Sequence, residues 1–183
     1  FTVGIRTSGR SESEQRVLKV FTGPKKSLFQ VFNGLNERTA GQSAQSLARI
    51  LFASILALLR DHACPYALQT CYHEMQESLF YTTTTLQRPN GMRNWNMFND
   101  FTNDKAYVST KWIIRLVINQ GLQIRHIFRV KRLAGVATHY VIVLQDGRVI
   151  CDCCMGLNLG IPCRHYFQLY TKVEGLTFSI GII

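Results

Sequence analysis

The chain has 183 residues, 46% hydrophobic and 17% charged, which is enough apolar material for the core of one or two domains and too much for wholesale disorder. Lys and Arg total 21 against 11 Asp and Glu, and the resulting +10 favours polyanionic partners such as nucleic acid. No apolar run reaches the roughly 20 residues of a membrane helix. The longest, Ile50 to Leu59, is bounded by Arg49 and Arg60, so no membrane partner is expected.

Position 1 is Phe, and no charged start leads into an apolar stretch, so the chain reads as a C-terminal fragment without a secretory signal. Ser11 with Glu14 three residues on makes a capping box ahead of Val17, Leu18 and Phe21, which predicts a helix from Glu12. Ser27 opens a second helix with Leu28, Val31, Phe32 and Leu35 on one face. A third carries Leu47, Ile50, Leu51, Ile55, Leu58 and Leu59 and should pack on the second. Pro65 suits the first turn of a fourth, running to about Tyr81 with Leu68, Cys71, Tyr72, Met75 and Leu79 on one side. Cys64 and Cys71 read as small buried hydrophobes.

Thr82 to Asp104, with its four threonines, Arg88-Pro89-Asn90-Gly91 and several asparagines, reads as a spacer. The period then changes to two. Trp112, Ile114, Leu116 and Ile118 alternate with Lys111, Ile113, Arg115 and Val117, and Ile124, His126, Phe128 and Val130 alternate with Arg125, Ile127, Arg129 and Lys131. Both runs are expected to be strands. A third, His139 to Leu144, joins a fourth, Arg148 to Cys153, through a hairpin turn on Asp146-Gly147. The expected class is α+β: a helical segment over 1–81, a spacer over 82–104 and a small antiparallel β plus helix module over 105–183.

Four of the six cysteines lie between Cys151 and Cys163, a clustering that favours metal over disulfides. Cys151 and Cys153, at i and i+2 of a strand, can offer two thiolates to one ion while Cys154 points away. Gly156, Gly160 and Pro162 let the chain turn back to Cys163, at the entry of a helix with His165 in its first turn and Gly175 as its stop. Three thiolates and an imidazole fill a tetrahedral shell with no place for water, so the expected ion is a structural Zn2+. A unit of about 40 residues needs such a staple, because its core alone is too small. Buried free thiols with a helix-capping histidine are the alternative, and they do not account for two pairs of equal spacing. His62, His73, His126 and His139 lack comparable neighbours and read as surface or core filler.

Charge is uneven along the chain. Residues 1–104 carry 11 basic and 8 acidic side chains, and residues 105–183 carry 10 and 3. Lys111, Arg115, Arg125, Arg129 and Lys131 are therefore the candidate DNA-phosphate contacts, and such contacts position without specifying sequence. A protein partner is the rival reading, and no small-molecule substrate is expected.

The CxC, nine residues, CxH pattern resembles the SWIM zinc finger, spanning about residues 138–175. Gly160-Ile161-Pro162-Cys163-Arg164-His165 is similar to the form found in Mutator-like element transposases and the far-red-response transcription factors derived from them. Thr7 to Ser13 resembles the end of the transposase catalytic domain, and Pro65-Tyr66-Ala67-Leu68 with Glu74 the helix before the family's spacer. The resemblance implies that residues 1–81 end a ribonuclease-H-like domain and that Glu12 matches its late catalytic glutamate. It also implies a nuclear location. Two aspartates that would complete a Mg2+ site are expected before Phe1, so this chain alone should not cut DNA. The implied functions are a DNA-contacting zinc module, a domesticated regulator or protein-interaction module, or a fragment of an active DDE-type transposase.

Overall fold

The computed structural model describes residues 28–98, 100–101, 108–133 and 135–178. Glu12, the helix expected from it and Ser27 lie outside these residues. The chain divides into one compact unit over residues 1–45 and another over 46–183. Among the described residues the first unit is helical from Leu28, within a helix α1 of Leu28–Leu51. The second unit holds the end of α1, then α2 (Ala53–His62), α3 (Pro65–Ser78), β1 (Tyr81–Leu86), a single 3-10 turn (Trp95–Met97), α4 (Thr110–Asn119), β2 (Ile124–Arg132), β3 (Thr138–Leu144), β4 (Val149–Cys151), α5 (Met155–Leu159) and α6 (Arg164–Tyr170). The α+β expectation holds: six α-helices accompany one four-stranded antiparallel sheet of order β1-β2-β3-β4 among the described residues. Among the described residues no single helix is long and apolar enough to cross a membrane.

Four expectations about elements are corrected. The stripe from Leu47 to Leu59 is not one helix face, because the helical path breaks at Phe52 (φ −110°, ψ 23°). Phe52, Ile55, Leu56 and Leu59 are buried, whereas Ile50 stays 74% exposed. The threonine run, expected in a spacer, is strand β1, and helix α3 stops at Ser78 rather than near Tyr81. Thr82 to Thr85 pair with Lys131 to Phe128 of β2, as β-branched side chains favour even when polar. Trp112 to Ile118, expected as a strand, lies in helix α4. Thr110, Ile113, Ile114 and Val117 are its buried residues, a 3.6-residue stripe hidden inside an alternating run. Ser109 at its N-cap and Gly121 (φ +71°) just past its end are the boundary signals that mark it as a helix.

The sheet is covered on both faces. Ile127, Tyr140, Ile142 and Leu144 pack with Trp95 and with Ile113, Ile114 and Val117 of α4. On the other face Phe128, Val130, Val141 and Val143 enclose Leu169 of α6. Tyr166 and Phe167 of that helix turn instead to Phe52, Ile55, Leu56 and Leu59 and to Cys71 and Met75 of α3. Helix α6 is thus wedged between the sheet and the α2–α3 layer, and each fully buried Leu or Phe stabilises that wedge by about 1.5–3 kcal/mol. Strand β2 keeps its predicted place, with a register irregularity between Ile124 and His126.

Candidate metal centre

Strand β4 ends at Cys151, earlier than expected, and the chain leaves it in a turn closed by the Cys154 N–H donating to the Cys151 carbonyl at 3.0 Å. Strand alternation is therefore not what pairs Cys151 with Cys153; a knuckle-like turn does so. Cys154 completes that turn in the left-handed region (φ +54°), is buried, and places its Sγ 3.7 Å from the Asp152 carbonyl, outside the cluster. Gly160 (φ +68°) ends α5 and returns the chain to Cys163, the N-cap of α6, with His165 in its first turn as predicted. Helix α6 stops at Tyr170, short of the expected Gly175, and further turns carry the chain on.

These elements bring one ligand atom from each of Cys151, Cys153, Cys163 and His165 within 4.8 Å of one another, a group able to hold a metal ion such as zinc. The Sγ of Cys151 lies 3.4 Å from His165 Nδ1. Bond lengths typical of Zn–S and Zn–N predict about 3.5 Å for that edge of a tetrahedron, so the donor set fits the ion in chemistry and in spacing. A cleft of about 460 Å3 beside the centre is lined by Cys151, Cys163, Pro162 and Tyr166.

Electrostatics favour a cation here. The thiols of Cys151 and Cys163 donate toward Cys153 and draw its pKa far below the ordinary thiol value. Burial, then contact with that first thiolate, pushes Cys151 well up. At Cys163 the hydrogen bond from Cys151 pulls down, but donation to Cys153, burial and the Cys153 charge outweigh it and the pKa rises. One thiolate forms readily and the next two do not, unless a cation arrives to displace their protons.

Arg164, inside the second pair, reaches away from the thiols to helix α3, whereas Asp152, inside the first, accepts from the Cys151 thiol at 3.7 Å through Oδ1. The Asp152 carboxylate is fully buried; it accepts from the Tyr140 backbone N–H at 2.9 Å and the Thr110 hydroxyl at 3.4 Å, and contacts His139 Nδ1 at 2.8 Å. Arg164 donates its backbone N–H to Glu74 Oε2 at 2.7 Å and its guanidinium to Glu74 and Glu77, both on α3. The Glu74 carboxylate holds the Arg164 guanidinium above its usual pKa. His139, expected to be filler, instead stacks on His165 at 4.1 Å. Burial alone would lower its pKa, but the Asp152 hydrogen bond and charge, with that of Cys153, raise it. His62 and His73 are exposed, and His126 is exposed beside Phe128. Cys71 is buried, and burial, then the Glu74 charge, pushes its thiol up to about 11. Cys64, expected buried, is exposed at the N-cap of α3.

The roles of His139, Asp152 and Glu74 were not read from the sequence. A carboxylate between two ligand cysteines and a histidine at the start of β3 were the available signals, but only the fold brings them together. Of the candidate phosphate contacts, Lys111 and Arg115 lie on α4, and Arg125, Arg129 and Lys131 on β2. Arg129 and Lys131 are two and four residues on from Ile127 in β2, which places them on its face of the sheet, the one that α4 covers further along. In comparisons with known proteins, no family model, curated protein or solved structure matches this chain.

Proposed function

We propose that the chain carries a structural zinc centre of the SWIM type, from a transposase-derived nuclear protein, and that a cationic surface on the same unit contacts DNA phosphates. The convergence of Cys151, Cys153, Cys163 and His165 carries this reading. Three thiolates and one imidazole suit zinc better than harder ions, and a shell filled by four protein ligands leaves no position for a reacting water, so the centre is structural rather than catalytic. Its work is to join the knuckle after β4 to the first turn of α6, and through α6 the sheet to α2 and α3.

The DNA part is supported by how the cations are used. Arg132, Arg148 and Arg164 are engaged by Glu77, Asp146 and the Glu74–Glu77 pair, whereas Arg115, Arg125, Arg129 and Lys131 are exposed and have no acidic partner among the described residues. A second reading, contact with a protein partner, draws on the outward side of α4, where Trp112 is 52% and Leu116 40% exposed. Salt titration of duplex-DNA binding separates the two. Phosphate contact requires an affinity that falls steeply with salt, with a slope that drops by about one for each of Arg129→Gln and Lys131→Gln. Undetectable or salt-independent binding rejects it in favour of the protein partner. The zinc part is tested by elemental analysis of the purified chain, which should find one zinc per molecule.

A further inference from the structure

A ligating imidazole ordinarily gives its second ring N–H to a carboxylate, carbonyl or water, and that bond fixes the plane of the ring. His165 has no such partner among the described residues: with Nδ1 facing the Cys151 thiol, its buried Nε2 makes no hydrogen bond to them. Its ring is held by other rings. His139 lies stacked against it, centroids 4.1 Å apart and planes inclined by 28°, and Tyr81 meets it edge-on at 5.1 Å and 83°. The two rings come from different strands, Tyr81 from the first residue of β1 and His139 from β3, with β2 between them.

His139 is itself fixed. Its Nδ1 lies 2.8 Å from Asp152 Oδ1, and Asp152 is anchored by the Tyr140 backbone N–H and by Thr110 of α4. Because Asp152 is the residue between Cys151 and Cys153, the same turn that supplies two thiolates also sets the ring that lies on the fourth ligand. We propose that His139 and Tyr81 are positioning residues for His165, acting through ring contact, and that Asp152 positions His139. The inference rests on the metal reading of the cluster. It adds that the two ligand arms are coupled to each other outside the coordination shell.

The test uses the full chain, with zinc affinity read by competition with a chromophoric chelator and ligand geometry by the visible absorption of the cobalt(II) form. His139→Ala should weaken zinc binding by about 10–100-fold, the range usual for loss of a group that orients a ligand, and should change the cobalt bands. His139→Phe keeps a ring on His165 and should recover most of that loss, while Tyr81→Leu should give a smaller loss than His139→Ala. A folded His139→Ala chain with unchanged affinity and cobalt spectrum overturns the proposal. So does a folded His139→Phe chain that loses as much as the alanine variant, because the Asp152 contact and not the stack would then be what matters. If the unaltered chain binds neither zinc nor cobalt, the metal reading fails first and this inference with it.

Discussion

The two ligand pairs share one spacing and are fastened by opposite charges. Between Cys151 and Cys153 stands an acid, Asp152, sunk among a backbone N–H, a hydroxyl and an imidazole, which binds the knuckle to β3 and α4. Between Cys163 and His165 stands a cation, Arg164, whose side chain is 27% exposed and reaches the carboxylates of α3. One pair is bent together by the knuckle after β4 and the other by the first turn of α6, and in each the intervening side chain ties its arm to a different layer. The CxC arm belongs to the sheet and the CxH arm to the helices.

The comparison breaks most completely if the ion is removed. Cys163→Ser should abolish stoichiometric zinc and collapse the melting transition, since apparent zinc binding in small finger modules is worth about 10–16 kcal/mol and is expressed as folding energy. Cys154→Ser, outside the cluster, should retain zinc, and elemental analysis with a thermal melt distinguishes the two.

Next in size is the helical tie. Glu74→Ala leaves Arg164 without its main partner in a partly buried site, and should cost about 3 kcal/mol in urea denaturation of the zinc-loaded chain. Asp152→Asn keeps the shape of the sheet-side tie but exchanges a charge for an amide, which cannot accept at both oxygens. It should cost about 1–3 kcal/mol by the same measurement, and a cost above that of Glu74→Ala would reverse the ranking of the two arms.

A finer difference is in pH. The folded-state pKa of His139 is raised, so the stability it contributes is fully present below the unfolded value of about 6.5 and is lost as pH rises through the raised folded value. Through its contact with the Asp152 carboxylate, the destabilisation caused by His139→Gln should therefore be larger near pH 6 than near pH 9, measured by urea denaturation; equal costs at both pH values would refute it. The smallest expected effect is that of Arg129→Gln and Lys131→Gln on stability, within about 0.5 kcal/mol, because both side chains are exposed.

Much of the site was legible because its chemistry is local in the chain. The grouping of Cys151, Cys153, Cys163 and His165 as a cluster that could hold a metal, the hairpin on Asp146-Gly147, the return through Gly160 and the placement of Cys163 and His165 at the start of a helix all follow from residue type and short spacing. The errors arose where a short apolar run serves either period. In Lys111 to Asn119 every other residue and every third or fourth residue are both apolar, and contact with Ile127, Ile142 and Leu144 resolves the run as a helix. Thr82 to Thr85 look like linker by polarity and become a strand because β2 offers an edge to pair with.

Sequence alone determined which four atoms can share an ion, because ligand softness and i, i+2 spacing are properties of neighbouring residues. The packed structure decided what holds those atoms in place: Glu74 is 90 positions from Arg164, and Thr110 is 42 from Asp152. Such partners are chosen by burial. A charge taken out of water must find its counter-charge or donors in whichever layer lies against it, and no local pattern in the chain records which layer that will be.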